Sequence, residues 1–303
     1  MSTITLIAPK PENLTKNQRR FLDALVARLK SAGMRVAAEA PASAGIDLRL
    51  DATRGSDGVV VLAFEQWEAH RTSRQSTREV ILPSEFAHIG CVLACAARRP
   101  LLVLRERSIA SRGALRNGYV ASNVNLPRSL DEAWLSSEEF RGEFDAWAKQ
   151  VSEQQDVFLG YSSQAADVGE RLKVFLADKV GVRVFDWHAF RPGDAIWDSI
   201  RRAERLTKCG VFLFMEDDAI VAKAGQELAP RDNVVYEAGY FAGAKGLSQT
   251  LIVREERAKI PTDLGGVIYL QLGGRRSLKS IERSLKEAVT RMVVAKPAAR
   301  ANT

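Results

Sequence analysis

Short apolar runs alternate with longer amphipathic stretches along most of this chain, and that alternation limits the folds open to it. In the second half, DVFLGYS, VRVFDW, GVFLFM, TLIVR and GVIYLQL are short and mainly apolar, as buried strands are. QAADVGERLKVFLADKVG sets Val168, Leu172, Phe175 and Leu176 at helical spacing, with Gly181 behind them as a stop. AIWDSIRRAERLTKC puts Ile196, Ile200, Ala203 and Leu206 on one face. NVVYEAGYFAGAKG reads as a third helix capped by Asp232 or Asn233, and SLKSIERSLKEAVTRMVV as a closing one. Strands and helices taking turns imply a parallel sheet covered on both faces.

The first half repeats the theme. ITLIAP, MRVAAEA, SDGVVVLAF and PLLVLRE read as strands, NQRRFLDALVARLKSAG and PSEFAHIGCVLACAARR as helices, and DEAWLSSEEFRGEFDAWAKQVSEQ as a helix closing this half. The expectation is an α/β protein of two parallel-sheet domains, residues 1–152 and 153–295, with a flexible tail at 296–303. The halves also align weakly with each other, GVVVLAF from Gly58 against GVFLFM from Gly210. Shared ancestry and the common constraints of βαβ units both account for that.

A chain of 303 residues is long enough for two domains, and 46% hydrophobic with 27% charged residues is ordinary globular composition. The formal charge of +7 is spread as +4 up to residue 150 and +3 beyond it. A nucleic-acid binder concentrates its charge, so a nucleic-acid partner is not expected, and a small anionic ligand fits the mild excess. Cys91, Cys95 and Cys209 have no zinc spacing, so buried thiols and no metal are expected. MSTITLIAPKPEN lacks the apolar core of a signal peptide, and no run reaches the roughly 18 apolar residues of a membrane span. A cytoplasmic protein with no membrane partner is the expectation.

Ligands of open parallel sheets bind beyond the carboxyl ends of the strands. In the second half those ends carry Tyr161 and Ser162, then Asp186, Trp187 and His188, then Asp217 and Asp218, then Arg231, Asn233 and Glu237, then Asp263. Glu237 stands among small and apolar residues, four after Asn233, so the two share a helix flank, with Tyr240 near it. The positive end of the helix is expected to help hold this carboxylate ionised. Periodicity alone leaves a surface role for Glu237 open, packing for Trp187, and turn formation for Asp217 and Asp218. The chain has neither G-x-x-x-x-G-K-[ST] nor G-x-G-x-x-G, which counts against ATP hydrolysis and ordinary dehydrogenase chemistry.

Taken together, VFDWHAFRPGDAIWDSI, VFLFMEDDAI, APRDNVVYEAGYFAGAKG and IPTDLGGVIYLQL resemble the TIR-like nucleotide-binding domain family, over about residues 155–290. That family includes TIR effectors of bacterial anti-phage systems that signal by cyclic nucleotides. The resemblance implies a flavodoxin-like fold in the C-terminal half and NAD+ hydrolase activity, with NAD+ as substrate and no cofactor. It implies Glu237 as the catalytic acid, and Tyr161, Ser162, Trp187, Asp217, Arg231, Asn233 and Asp263 as substrate-binding residues. It also implies a homo-oligomer when active, triggered by a cyclic nucleotide or a protein. MEDD replaces the T-P-D-D frequent in the family, a departure that bears on rate and substrate range.

In the N-terminal half, LPSEFAHIGCVLACAARRPLLVL resembles a segment of nucleoside deoxyribosyltransferase-like domains, also flavodoxin-like. His88 stands where that family has its catalytic glutamate, and Glu85 lies one helical turn earlier, which marks Glu85 and His88 as a second candidate site. Three readings follow: a defence NAD+ hydrolase gated by its N-terminal half, a nucleotide sensor or scaffold without turnover, and base exchange on a nucleoside through Glu85.

Overall fold

The computed structural model describes residues 1–37, 44–72, 77–116, 118–120, 122–186, 195–222 and 225–294. The chain forms two compact units divided between Glu153 and Gln154.

The N-terminal unit runs β1 (Ser2–Ile7), α1 (Lys16–Ser31), β2 (Met34–Ala37), α2 (Ile46–Arg54), β3 (Gly58–Ala63), β4 (Trp67–Thr72), β5 (Thr77–Leu82), α3 (Glu85–Ala96), β6 (Leu101–Arg105), β7 (Ser122–Asn125) and α4 (Glu138–Ser152). Its main sheet is parallel throughout, in the order β2-β1-β3-β6-β7. Thr15 and Gln18 form a capping box that starts α1. On one face Phe21, Leu25 and Leu29 of α1 meet Phe140, Phe144 and Trp147 of α4 over Ile4, Val60 and Leu62. On the other, Ala87, Cys91 and Ala94 of α3 pack against Ile7, Val59, Val61 and Val103. Cys91 is buried as expected, but Cys95 is exposed, because the helix turns that flank to solvent.

The C-terminal unit runs β8 (Val157–Gly160), α5 (Ala166–Phe175), β9 (Val184–Asp186), α6 (Ile196–Leu206), β10 (Cys209–Phe214), β11 (Asp218–Ala222), β12 (Gly225–Ala229), α7 (Asp232–Lys245), β13 (Thr250–Arg254), β14 (Ile268–Gln271) and α8 (Glu282–Val293). Its sheet order is β14-β13-β10-β8-β9, again parallel throughout. Both units thus have the flavodoxin-like order. Side chains alternate across the sheet: Leu159, Val211, Leu213 and Val253 face α5 and α8, while Phe158, Phe212, Phe214 and Ile252 face α6 and α7. Gly181 ends the first helical segment in the left-handed region, at φ +79°.

The hairpins β4–β5 and β11–β12, the helix α2 and the strand β7 have no counterpart in the sequence-based expectation. Polar residues dominate WEAHRT and SNVN, so no apolar run marks them. The start of α7 also differs: Arg231 is the cap residue, without a side-chain cap bond, and Asp232 already lies inside the helix. No helix among the described residues is long and apolar enough to cross a membrane.

Candidate active site

The chain leaves β8 toward β9 on one side of the sheet and β10 toward β13 on the other. The loops beyond these two neighbouring strands therefore part, and the crevice between them is the expected ligand position. Gly160 is the last residue of β8, and Glu237 reaches it from α7. A β-carbon added to Gly160 would lie 2.8 Å from Oε2 of Glu237 and 2.6 Å from the Phe212 ring. The missing side chain is what lets the carboxylate approach the strand end. Burial there pushes the Glu237 pKa up to about 7. This corrects the sequence-based expectation of an acid held ionised by the helix start. Glu237 lies five residues beyond Asp232, past the first turn, where the positive end of a helix acts weakly.

Two more polar groups stand at these strand ends without partners among the described residues. Ser162 is 7% exposed and its Oγ makes no hydrogen bond. Both carboxylate oxygens of Asp217 are buried and make none. An unsatisfied buried oxygen costs about 1–3 kcal/mol, more when charged, so such a pair at a crevice is a feature a bound ligand would relieve.

The loops that carry these groups are tied together. With its amide oxygen turned toward Arg231, Gln164 accepts from Nη2 of Arg231 at 2.7 Å and donates to the Asp217 carbonyl at 3.3 Å. Nη1 of Arg231 pairs with Asp218 at 3.3 Å. Glu255 accepts the backbone N–H of Glu216 at 3.0 Å and Nε of Arg276 at 2.8 Å, fixing the chain just before Asp217. On the outer flank of α7, Tyr236 and Tyr240 lie 5.3 and 5.2 Å from the Trp197 ring.

The other candidates sit less centrally. Tyr161 turns to the opposite face of the sheet, its ring in the core beneath α5 and its hydroxyl donating to Glu170 at 3.2 Å. It belongs with the scaffold, because strand alternation sends it away from Gly160. Asn233 is exposed one turn before Glu237. Trp187 and His188 lie outside the described residues, as does the side chain of Asp263, whose backbone forms the short turn Thr262–Leu264. In the N-terminal unit, Glu85 is exposed at the start of α3. His88 is half-buried; burial and then the nearby Arg112 lower its pKa, and its Nδ1 has no partner among the described residues. No group of three or more His, Cys, Asp or Glu side chains among the described residues gathers as a metal site would.

Sequence reasoning missed Gly160, Gln164 and Trp197. The glycine ending an apolar strand was the one signal available for the first. The other two depend on contacts across loops and helices.

A doubly wound α/β unit with a half-buried acid at its switch point has a strand-end crevice where such folds take ligands. Residues 156–274 match the family model for the TIR domain of CAP12/Pycsar effector proteins. The C-terminal unit is therefore similar, over those residues, to the TIR domain of that family. CD-NTase-associated protein 12 of Lachnospiraceae bacterium is 29% identical over 139 residues, which are 45% of this chain and 44% of that protein. The same-named protein of Sphingobacterium faecium is 30% identical over 135 residues, 43% of this chain and 41% of its own. Pycsar effector protein BcPycTIR of Burkholderia cepacia is 32% identical over 114 residues, 37% of this chain and 38% of its own. The chain thus matches less than half the length of these relatives.

Proposed function

We propose that the C-terminal unit hydrolyses NAD+ at the nicotinamide–ribose bond, with Glu237 as the working acid, and that the chain is an anti-phage defence effector gated by its N-terminal unit. The observation that carries this is the half-buried Glu237 carboxylate at the switch point beside Gly160, in a unit that matches the TIR family model.

The chemistry suits one carboxylate. When the C1′–N bond breaks, its electron pair leaves with nicotinamide, which departs neutral and needs no general acid. Positive charge grows on the ribose, and an ionised Glu237 beside it would stabilise that charge or hold the ribose hydroxyls. Water then adds at C1′ and gives up a proton, leaving ADP-ribose, nicotinamide and H+. Ser162 and Asp217, with unused oxygens at the same strand ends, are the groups offered for ribose hydroxyls. The half-exposed rings of Trp197, Tyr236 and Tyr240 offer an aromatic surface on the flank of α7 that also carries Glu237. The names of the relatives, CD-NTase-associated and Pycsar effector, favour a cyclic nucleotide as the activator. A homo-oligomeric active state is part of the proposal.

The test is nicotinamide release from NAD+ by wild type and Glu237→Gln, alone and with a panel of cyclic di- and trinucleotides. Release by wild type alone supports the hydrolase. Release undiminished in Glu237→Gln overturns the assignment. Saturable NAD+ binding with no product under any activator favours a sensor instead.

A further inference from the structure

The two units share more than strand order. In each, an antiparallel hairpin is inserted between the third strand of the sheet and the next helix, β4–β5 in one and β11–β12 in the other. The second hairpin strand then bridges, in parallel, to the segment after the fourth strand: Ile81 to Ile109, and Leu228 to Ala258. Pro83 and Pro230 follow the hairpins, and the helices begin two residues later at Glu85 and Asp232. Each fourth strand leads into an Arg-Glu pair. Glu106 accepts the backbone N–H of Glu65 at 2.5 Å, and Glu255 that of Glu216 at 3.0 Å. Arg105 donates to Asn125 at 3.0 Å and Arg254 to Gln271 at 3.4 Å, each acceptor being the last residue of its fifth strand. The rules of βαβ packing fix strand order and crossover hand; they do not dictate matching side-chain bonds.

These markers set the correspondence residue by residue. Ile7 pairs with Val61 as Gly160 pairs with Phe212, and both pairs lie on the sheet face covered by the helix that follows the third strand. Gly58 therefore corresponds to Cys209 and not to Gly210, since a slip of one residue would reverse every face. Counting from the shared prolines, Gly90 corresponds to Glu237. A β-carbon on Gly90 would lie 2.5 Å from Cδ1 of Ile7 and 3.3 Å from Val61. One space is thus filled from the strand in one unit, by Ile7, and from the helix in the other, by Glu237. The neighbours follow suit. Pro9 stands for Ser162, and Gln66 stands for Asp217. Gln66 donates to the carbonyls of Glu65 at 2.8 Å and Asn13 at 3.3 Å. The groups left without partners in the C-terminal unit have apolar or satisfied counterparts in the N-terminal one.

We infer that the N-terminal unit is a second copy of the C-terminal fold with its cleft sealed by Ile7 against Gly90, and that Gly160 is the positioning residue that admits the Glu237 carboxylate. The second clause deepens the reading of Glu237 as the working acid and rests on it.

Two sets of full-length variants test this. Gly160→Ala puts a methyl group where Glu237 Oε2 and the Phe212 ring now lie, and Gly160→Ala with Phe212→Leu leaves the carboxylate as the main obstacle should the single variant fold poorly. The expected result is a loss of nicotinamide release of about 100-fold, as small misplacements of a reacting group produce. The Glu237 side-chain carboxyl carbon-13 signal, assigned by its loss in Glu237→Gln, should also move toward that of an exposed glutamate. Wild-type release with an unmoved signal overturns the role of Gly160. If wild type releases no nicotinamide alone or with any cyclic nucleotide of the panel, the hydrolase reading fails, while the carboxyl signal still decides whether Gly160 places Glu237. For the sealed copy, Gly90→Ala should lower the thermal midpoint, and adding Ile7→Ala should cancel part of that loss. Strictly additive losses would overturn the sealing of the N-terminal cleft.

Discussion

The Glu237 carboxylate rests against the strand end at Gly160, and burial in that place pushes its pKa up to about 7. Only the ionised form can stabilise positive charge on the ribose. The value of kcat/KM for NAD+ should therefore fall about tenfold for each pH unit below 7, since this parameter reports the free enzyme. Initial rates of nicotinamide release from pH 5 to pH 9 measure it. A profile level down to pH 5 would remove Glu237 from the chemistry.

The same burial makes Glu237 a stability liability. Its folded pKa is above its unfolded one, so the folded chain binds the extra proton, and stability declines as pH rises from about 4.5 to about 7. At pH 8 the ionised carboxylate should cost about 3 kcal/mol. Glu237→Gln, of the same shape and neutral, should then be the more stable protein at pH 8 and lose that advantage near pH 5, while its activity falls about 10²- to 10³-fold or more. Denaturant unfolding of both proteins at the two pH values decides it. A Gln variant less stable at pH 8 would mean that the carboxylate has partners in the fold.

Asp156 behaves in the opposite sense at the amino end of the same sheet. Burial by itself would raise its pKa. Three hydrogen bonds from Arg183 at 2.9–3.0 Å and the Lys208 ammonium at 2.9 Å outweigh that and hold it well below the usual carboxylate range. Its contribution is present above the unfolded pKa and is lost as pH falls through the folded one. Asp156→Ala takes a 2.9 Å charge partner from Lys208 and the acceptor from Arg183, and should cost about 3–5 kcal/mol at pH 7. The gap to wild type should narrow below about pH 4. A gap unchanged from pH 7 to pH 2 in urea unfolding would count against the ion pair as its source.

Asp217 has two buried oxygens that make no hydrogen bond among the described residues, although its charge is felt by Arg276, so a ligand is what would use them. Asp217→Asn should leave the folded protein no less stable and raise KM for NAD+ by about tenfold or more, the size of one hydrogen bond to a charged group. A stability loss with unchanged KM would make Asp217 a structural residue.

The sequence carried the layout well where apolar runs were long. GVVVLAF and GVFLFM are fully buried central strands, and burial on both faces is what makes such runs unbroken. Both hairpins escaped because their strands lie outside the main sheets and show no apolar alternation. Glu237 was legible as an oddity, an acid among small residues, but its environment was not. Burial raises its pKa at a place beside a glycine 77 positions earlier, brought to it by the fold. The repeat was legible in outline and misaligned by one residue, because glycines at the strand starts drew the eye to Gly58 and Gly210. Side-chain bonds from Glu106 and Glu255, which sequence spacing does not reveal, set the true register.

Glu255 is the residue through which the fold places Asp217 without touching it. One of its oxygens takes the backbone N–H of Glu216, the other Nε of Arg276, and Glu216 in turn accepts the backbone N–H and Nη2 of Arg257, both at 3.0 Å. Removing that carboxylate frees the amide next to Asp217 and takes from the Arg276 guanidinium its hydrogen-bonded partner. Glu255→Ala should therefore speed hydrogen exchange at the Glu216 amide, whose protection comes from this one bond, and lower kcat/KM about tenfold through a mobile Asp217 loop. Glu255→Gln keeps an acceptor oxygen for the amide and should recover most of the protection. Exchange at Glu216 measured by NMR in the three proteins, beside their rates on NAD+, separates the two parts of the claim. Fast exchange with an unaltered rate would show that the loop is braced for stability alone, whereas a rate loss that Glu255→Gln recovers together with the protection would tie the brace to catalysis.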